Sequence, residues 1–186
     1  MVLNDAAEFD LAVRLREGGA ALADVFAFIS GLYFRGKAAY AAAFARPPAG
    51  MPGSLVIAAG RGFLPGDTVI GPSDLREIAA IPIDITDARY RRPLEQAALG
   101  LHKSLGPTCE VVLLGSIATS KYLEPLVDVF GTRLKFPAAF IGRGDMSRGG
   151  LMLRCAREGE ELEYVAATTP LRRGRRPPRL QATTSR

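Results

Sequence analysis

Glu110-Val-Val-Leu-Leu-Gly-Ser-Ile-Ala-Thr-Ser-Lys-Tyr122 is the stretch whose reading decides the fold. Its first five residues form a short run rich in valine and leucine, too brief for a helix and typical of a strand covered on both faces. Gly115 breaks the run, and hydroxyl-bearing residues lead into Thr119–Phe130, which carries a helical pattern. Strand, glycine turn and helix in succession form the repeating unit of an α/β protein.

The same alternation extends in both directions. Toward the C-terminus, Leu134-Lys-Phe136, Leu151–Ala156 and Leu162–Val165 are read as further short strands. Toward the N-terminus, Asp87–Leu105 is a helix stopped by Gly106-Pro107. Ile81-Pro-Ile-Asp-Ile85 is an edge-type strand, because proline cannot donate to a ladder. A small helix lies near 73–79. Ser54-Leu-Val-Ile-Ala-Ala59 is a buried strand, followed by the loop Gly60-Arg-Gly-Phe-Leu-Pro-Gly-Asp-Thr68.

Residues 5–17 form an amphipathic helix closed by Gly18-Gly19. From Ala20 to Ala45, Leu22, Val25, Phe26, Ile29, Tyr33, Tyr40 and Phe44 keep three- and four-residue spacing, and Gly31 divides the stretch. The expectation is an α/β fold in one domain, residues 1–168. Its sheet is largely parallel or mixed and covered by helices, with a helical segment over 5–45. Residues 169–186 are expected to form a disordered Arg/Pro-rich tail.

Charge supports that division. The chain carries a net +5, yet Arg172, Arg173, Arg175, Arg176, Arg179 and Arg186 all lie beyond Pro170, where no acid occurs. Removing those six leaves the first 170 residues at −1. With 48% apolar and 23% charged residues, the body has an ordinary globular composition.

Several chemistries find no matching pattern. Cys109 and Cys155 lack a second Cys or a His at ligand spacing, so no metal site is expected and both are read as buried free thiols. No cofactor is implied. The opening residues lack the basic-then-apolar order of a signal peptide, and no stretch of about 18 uncharged apolar residues exists. A cytoplasmic protein without a membrane partner is expected. His102 is the one histidine and lies on an amphipathic helix, which disfavours a Ser-His-Asp triad. Neither a Walker loop nor a Gly-x-Ser-x-Gly elbow is present.

Three unusual loops follow apolar runs, and in an open α/β sheet ligands bind beyond the carboxyl ends of strands. The first, 60–68, offers Arg61 as a phosphate ligand and Asp67 as a base, with a plain surface turn as the alternative. The second, 115–121, places Ser116, Thr119 and Lys121 around a helix N-terminus, where anions bind; helix capping is the alternative.

The third loop, 142–150, belongs to Phe140-Ile-Gly-Arg-Gly-Asp-Met-Ser-Arg-Gly-Gly-Leu-Met-Leu-Arg154. Arg143, Arg148 and Arg154 are candidate phosphate ligands, and Asp145 would orient an arginine or act as an acid/base. A glycine-rich hairpin with solvated charges is the alternative. Arginine offers a forked donor suited to phosphate, and glycine lets backbone N–H groups approach closely.

Taken in order, four blocks resemble the YaaA-like family of peroxide-stress-resistance proteins and its bacterial relatives. They are Leu32-Tyr33-Phe-Arg-Gly36-Lys-Ala-Ala-Tyr40, Gly62–Pro72, Val111–Leu114 with Ser116, Thr119 and Tyr122, and Gly142–Arg154. The family's Ser-x-Glu-Tyr turn has Lys121 in place of its Glu, and Ser73 follows Pro72 where the family has Tyr. Its opening strand and lysine-rich helix-hairpin-helix region have no counterpart here. The resemblance implies a cleft-bearing α/β protein that associates with nucleic acid. A fainter similarity, through Val-Val-Leu-Leu-Gly-Ser-x-Ala, is to uracil-DNA-glycosylase folds. Their Asp-Pro-Tyr and His-Pro-Ser signatures are absent, so that activity is not carried over.

Three functions follow as expectations. The first is a nucleic-acid- or nucleotide-binding protein whose cleft is lined by Arg61, Asp67, Ser116, Lys121, Arg143, Asp145 and Arg148, with the tail adding backbone attraction. The second is an enzyme acting on an N-glycosidic bond through Asp67 or Asp145. The third is a non-enzymatic protein docking through its basic tail.

Overall fold

A computed structural model describes residues 2–117 and 120–169. In chain order the elements are α1 (Asp10–Glu17), β1 (Ala20–Ala21), α2 (Leu22–Phe44), β2 (Leu55–Ala58), β3 (Gly62–Pro65) and β4 (Val69–Ile70). They continue with α3 (Pro72–Ala79), α4 (Ala88–Ser104), β5 (Val111–Val112), α5 (Ser120–Phe130), β6 (Leu134–Pro137), α6 (Asp145–Glu158) and β7 (Tyr164–Ala166). Short 3-10 turns precede and follow β6.

The fold is α/β, and its strands are gathered into three small sheets among the described residues. β5, β6 and β7 form a mixed sheet, in which β5 runs parallel to β6 and β7 runs antiparallel to it. Leu113 N–H extends the parallel pairing by donating to Lys135 O at 2.8 Å. β2 and β3 make an antiparallel hairpin, with Val56 opposite Leu64 and Ile57 opposite Phe63, that packs on α4. β1 and β4 form a second, two-residue antiparallel pair. Of the two expected sheet types, the mixed one is therefore realised, with β6 at its centre.

α2 and α6 make the most extensive helix–helix contact. They cross at two glycines. A Cβ on Gly36 would stand 2.5 Å from Gly149 O, and a Cβ on Gly149 would stand 2.8 Å from both Leu32 O and Tyr33 Cα. No other residue type fits backbones this close. Gly31 divides α2 as expected, with φ 59° and ψ −136° interrupting the helix.

The core runs between the layers through Leu22, Tyr40, Tyr90, Leu94, Phe136, Phe140 and Met152. In α5, Pro125 has no N–H to donate to Lys121 O four residues earlier. The hydroxyl of the buried Tyr90 donates to that carbonyl at 2.9 Å instead.

Two strand assignments are corrected. Leu151–Ala156 lies within α6, because Leu151, Met152 and Cys155 fall on one helical face and enter the core. Ile81–Ile85 is irregular: Pro82 supplies no ladder donor, and Asp84 Oδ1 accepts from both Thr86 N and Thr86 Oγ1 at 2.9 Å. The cysteines differ from each other, Cys155 being buried and Cys109 only partly so. Among the described residues no helix is long and apolar enough to cross a membrane. The expected tail from Pro170 onward, and Thr119, lie outside the described residues.

Candidate anion-binding cleft

Because β5 and β6 are parallel neighbours, the chain leaves both at the same edge of their sheet. One exit passes through Leu113–Ser116 toward α5, and the other passes through residues 138–144 into α6. Between them lies an open cavity of about 520 Å³, lined by Ser116, Arg143, Gly144, Asp145, Met146, Ser147 and Arg148. The second and third loops of the sequence reading are thus brought together.

The third is only in part a loop. Gly144 is the N-cap of α6, and residues 145–150 are its first turns. Gly144 supplies no side-chain oxygen to cap the first-turn N–H groups. Asp145 lies in that turn, where a carboxylate is favoured by the helix dipole.

Arg148 is 5% exposed, and its guanidinium is held from several sides. Nε and Nη2 donate to Phe140 O at 3.3 and 3.1 Å. Nη1 donates to Asp145 Oδ1 at 3.3 Å, and the Phe140 ring centroid lies 5.4 Å from Cζ. The Tyr33 hydroxyl donates to Leu114 O at 3.2 Å, and the charge of Arg148 acts on it. One tyrosine of α2 is therefore bonded to the exit of β5 and lies in the field of the arginine beyond the exit of β6.

Arg143 is fixed less tightly. Its Nε donates to Ala139 O at 3.0 Å and its Nη1 to Ser147 Oγ at 3.2 Å. Among the described residues Nη2 has no hydrogen-bond partner, and arginine is a strong, always-charged donor for an oxyanion.

Electrostatics extend the site beyond its lining. Burial pushes the Tyr33 hydroxyl above the usual tyrosine range, against the lowering pull of Arg148. Tyr122 is pushed up by burial and by the carboxylate of Asp145. Burial lowers the pKa of the Lys37 ammonium, while Asp145 acts in the opposite direction. These three side chains, from α2 and α5, lie within the electrostatic reach of Asp145. None of the three is among the candidate loop residues, and the signal for them in the sequence is their place in the blocks 32–40 and 111–122.

The remaining candidates stand elsewhere. Arg61 Nη2 donates to Asp74 Oδ1 at 2.7 Å and to Glu77 Oε2 at 2.8 Å, so two carboxylates already compensate its charge. Asp67 is exposed on the turn between β3 and β4 and does not line the cavity. Lys121 opens α5 with its ammonium 5.7 Å from the Tyr122 ring centroid, outside the cavity lining. Arg154 lies farther along α6 and is not a lining residue either. Of the two carboxylates considered for chemistry, Asp145 alone lines the cavity. His102 has a structural setting, with its ring against Phe130 and Arg133 Nη2 donating to Nδ1 at 2.7 Å.

No group of three or more His, Cys, Asp or Glu side chains among the described residues is placed to hold a metal ion. Comparison with protein-family models, with curated proteins and with solved structures gives no match.

Proposed function

We propose that this protein binds nucleic acid or a nucleotide through the cleft between the β5 and β6 exits. One observation carries the reading: both exits meet at a single open cavity whose wall contains Arg143 and the buried Arg148 beside an uncapped helix N-terminus. Parallel-strand carboxyl ends are where open α/β sheets hold ligands, and helix N-termini favour anions. The YaaA-like resemblance belongs to the same proposal. It is supported by Ser116 and Arg148, from two of the four sequence blocks, which line this cavity, and by Tyr33 and Tyr122, which lie within the electrostatic reach of Asp145.

The test is binding of a labelled single-stranded oligonucleotide and of nucleotides to the full chain at low salt, compared with Arg143→Ala. Losing one charge-assisted contact is expected to weaken binding about tenfold, while the melting temperature stays close to that of the parent. Unchanged affinity in Arg143→Ala would place binding outside the cleft. Absence of binding to every phosphate-bearing probe would end the proposal.

A further inference from the structure

Lys37 stands one helical turn beyond Tyr33, with its ammonium 4.2 Å from the Tyr33 ring centroid and 5.5 Å from that of Phe34. Among the described residues no carboxylate pairs with it and no acceptor hydrogen-bonds it. An ammonium has three donors, so a half-buried one with only ring faces for company lacks acceptors. The crossing at Gly36 and Gly149 brings the backbone on either side of Gly36, Tyr33 included, against the N-terminal half of α6. Asp145, in the cavity wall, is near enough to favour the charged form of Lys37.

The charges around the cavity do not balance. Lys37 stands behind the cavity wall rather than in it, and with Arg143 and Arg148 it shares the wall's one carboxylate, Asp145, which already pairs with Arg148 at 3.3 Å. Tyr33 and Tyr122 are both pushed up and stay neutral. Two positive charges are therefore left over. An internal phosphodiester brings one negative charge, whereas a phosphomonoester brings close to two at neutral pH.

We propose that Lys37 is a binding residue of this cleft and that, with Arg143 and Arg148, it takes a phosphomonoester. The group would be borne by a nucleoside monophosphate or by a 5′-phosphorylated strand end. The flexible four-carbon stem brings the ammonium from the rings of Tyr33 and Phe34 to the incoming phosphate. The cavity, at about 520 Å³, has the volume of a small-ligand site. This inference rests on the anion-binding reading above and narrows it.

The experiment measures affinity of the full chain for AMP, adenosine, inorganic phosphate, and one oligonucleotide with either a 5′-phosphate or a 5′-hydroxyl. A phosphorylated probe is expected to bind about tenfold tighter than its unphosphorylated counterpart. Preference for AMP or for the phosphorylated strand identifies which source the cleft accepts. Lys37→Ala should erase the difference, and Lys37→Arg should retain most of it. A second measurement uses the unaltered protein, since AMP or the phosphorylated strand should slow acylation of Lys37 in peptide mass analysis.

The proposal is overturned if wild type shows no monoester preference, if Lys37→Ala keeps that preference, or if Lys37 is not protected. In those cases weakening by Arg143→Ala would leave the broader reading intact. Failure of every phosphate-bearing probe to bind overturns both.

Discussion

Arg148 is the residue on which the cleft is organised. A buried guanidinium is tolerated only when its donors are matched, and here Phe140 O and Asp145 match them. Held from behind by a backbone carbonyl, the fork is fixed before any ligand arrives, which reduces the ordering cost of binding. The tyrosines carry a second residue-scale consequence. Burial pushes all five, Tyr33, Tyr40, Tyr90, Tyr122 and Tyr164, above the ordinary range. A raised folded-state value means the native form keeps its proton longer than the unfolded chain does. Their contribution to stability is thus complete below about pH 10 and is lost as pH rises through the folded-state values. Spectrophotometric titration should show phenolate appearing later in the native protein than in urea-unfolded protein. Denaturant midpoints should fall above about pH 10. Coincident native and unfolded titration curves would refute this.

At the scale of elements, the crossing of α2 and α6 does the positioning. It sets Tyr33, with Lys37 over its ring, behind the cavity wall, and it exists because Gly36 and Gly149 let two backbones touch. Gly149→Ala puts a methyl 2.8 Å from Leu32 O and Tyr33 Cα, both backbone atoms that cannot turn aside. A loss of about 1–3 kcal/mol by urea unfolding is expected. Gly100→Ala in α4 meets nothing within 4 Å, and should instead add about 0.5–1 kcal/mol. Equal effects would mean that the crossing is not under this constraint.

The same glycines explain where the sequence was legible. Val111–Leu114 and the helix after it read directly, because an apolar run ending in glycine has few alternatives. Residues 142–150 read as a loop because glycine is costly inside a helix, by about 1 kcal/mol relative to Ala. That cost is local, whereas the packing that offsets it comes from α2, more than a hundred residues earlier. Arg143, Asp145, Arg148 and Ser116 were identifiable from composition and position. Tyr33 and Lys37 stand in one of the resemblance blocks, but their place beside the cleft was not legible, because spacing alone assigns α2 to the core.

On the scale of the whole molecule, small sheets and crossing helices bring two strand exits to one cavity while Arg61 is compensated elsewhere. The six arginines beyond Pro170 form a separate basic feature of the sequence. Binding through them alone would be nonspecific backbone attraction, steeply weakened by salt. Cleft and tail therefore make different claims about where a phosphate goes. The most direct test is a residue-resolved NMR titration of the full chain with AMP and with a 5′-phosphorylated oligonucleotide. Amide shifts concentrated at Ser116 and Arg143–Arg148, with side-chain shifts at Lys37, are expected for at least one of the two ligands. Shifts confined to residues 171–186, or no shifts with either ligand, would contradict binding in the cleft.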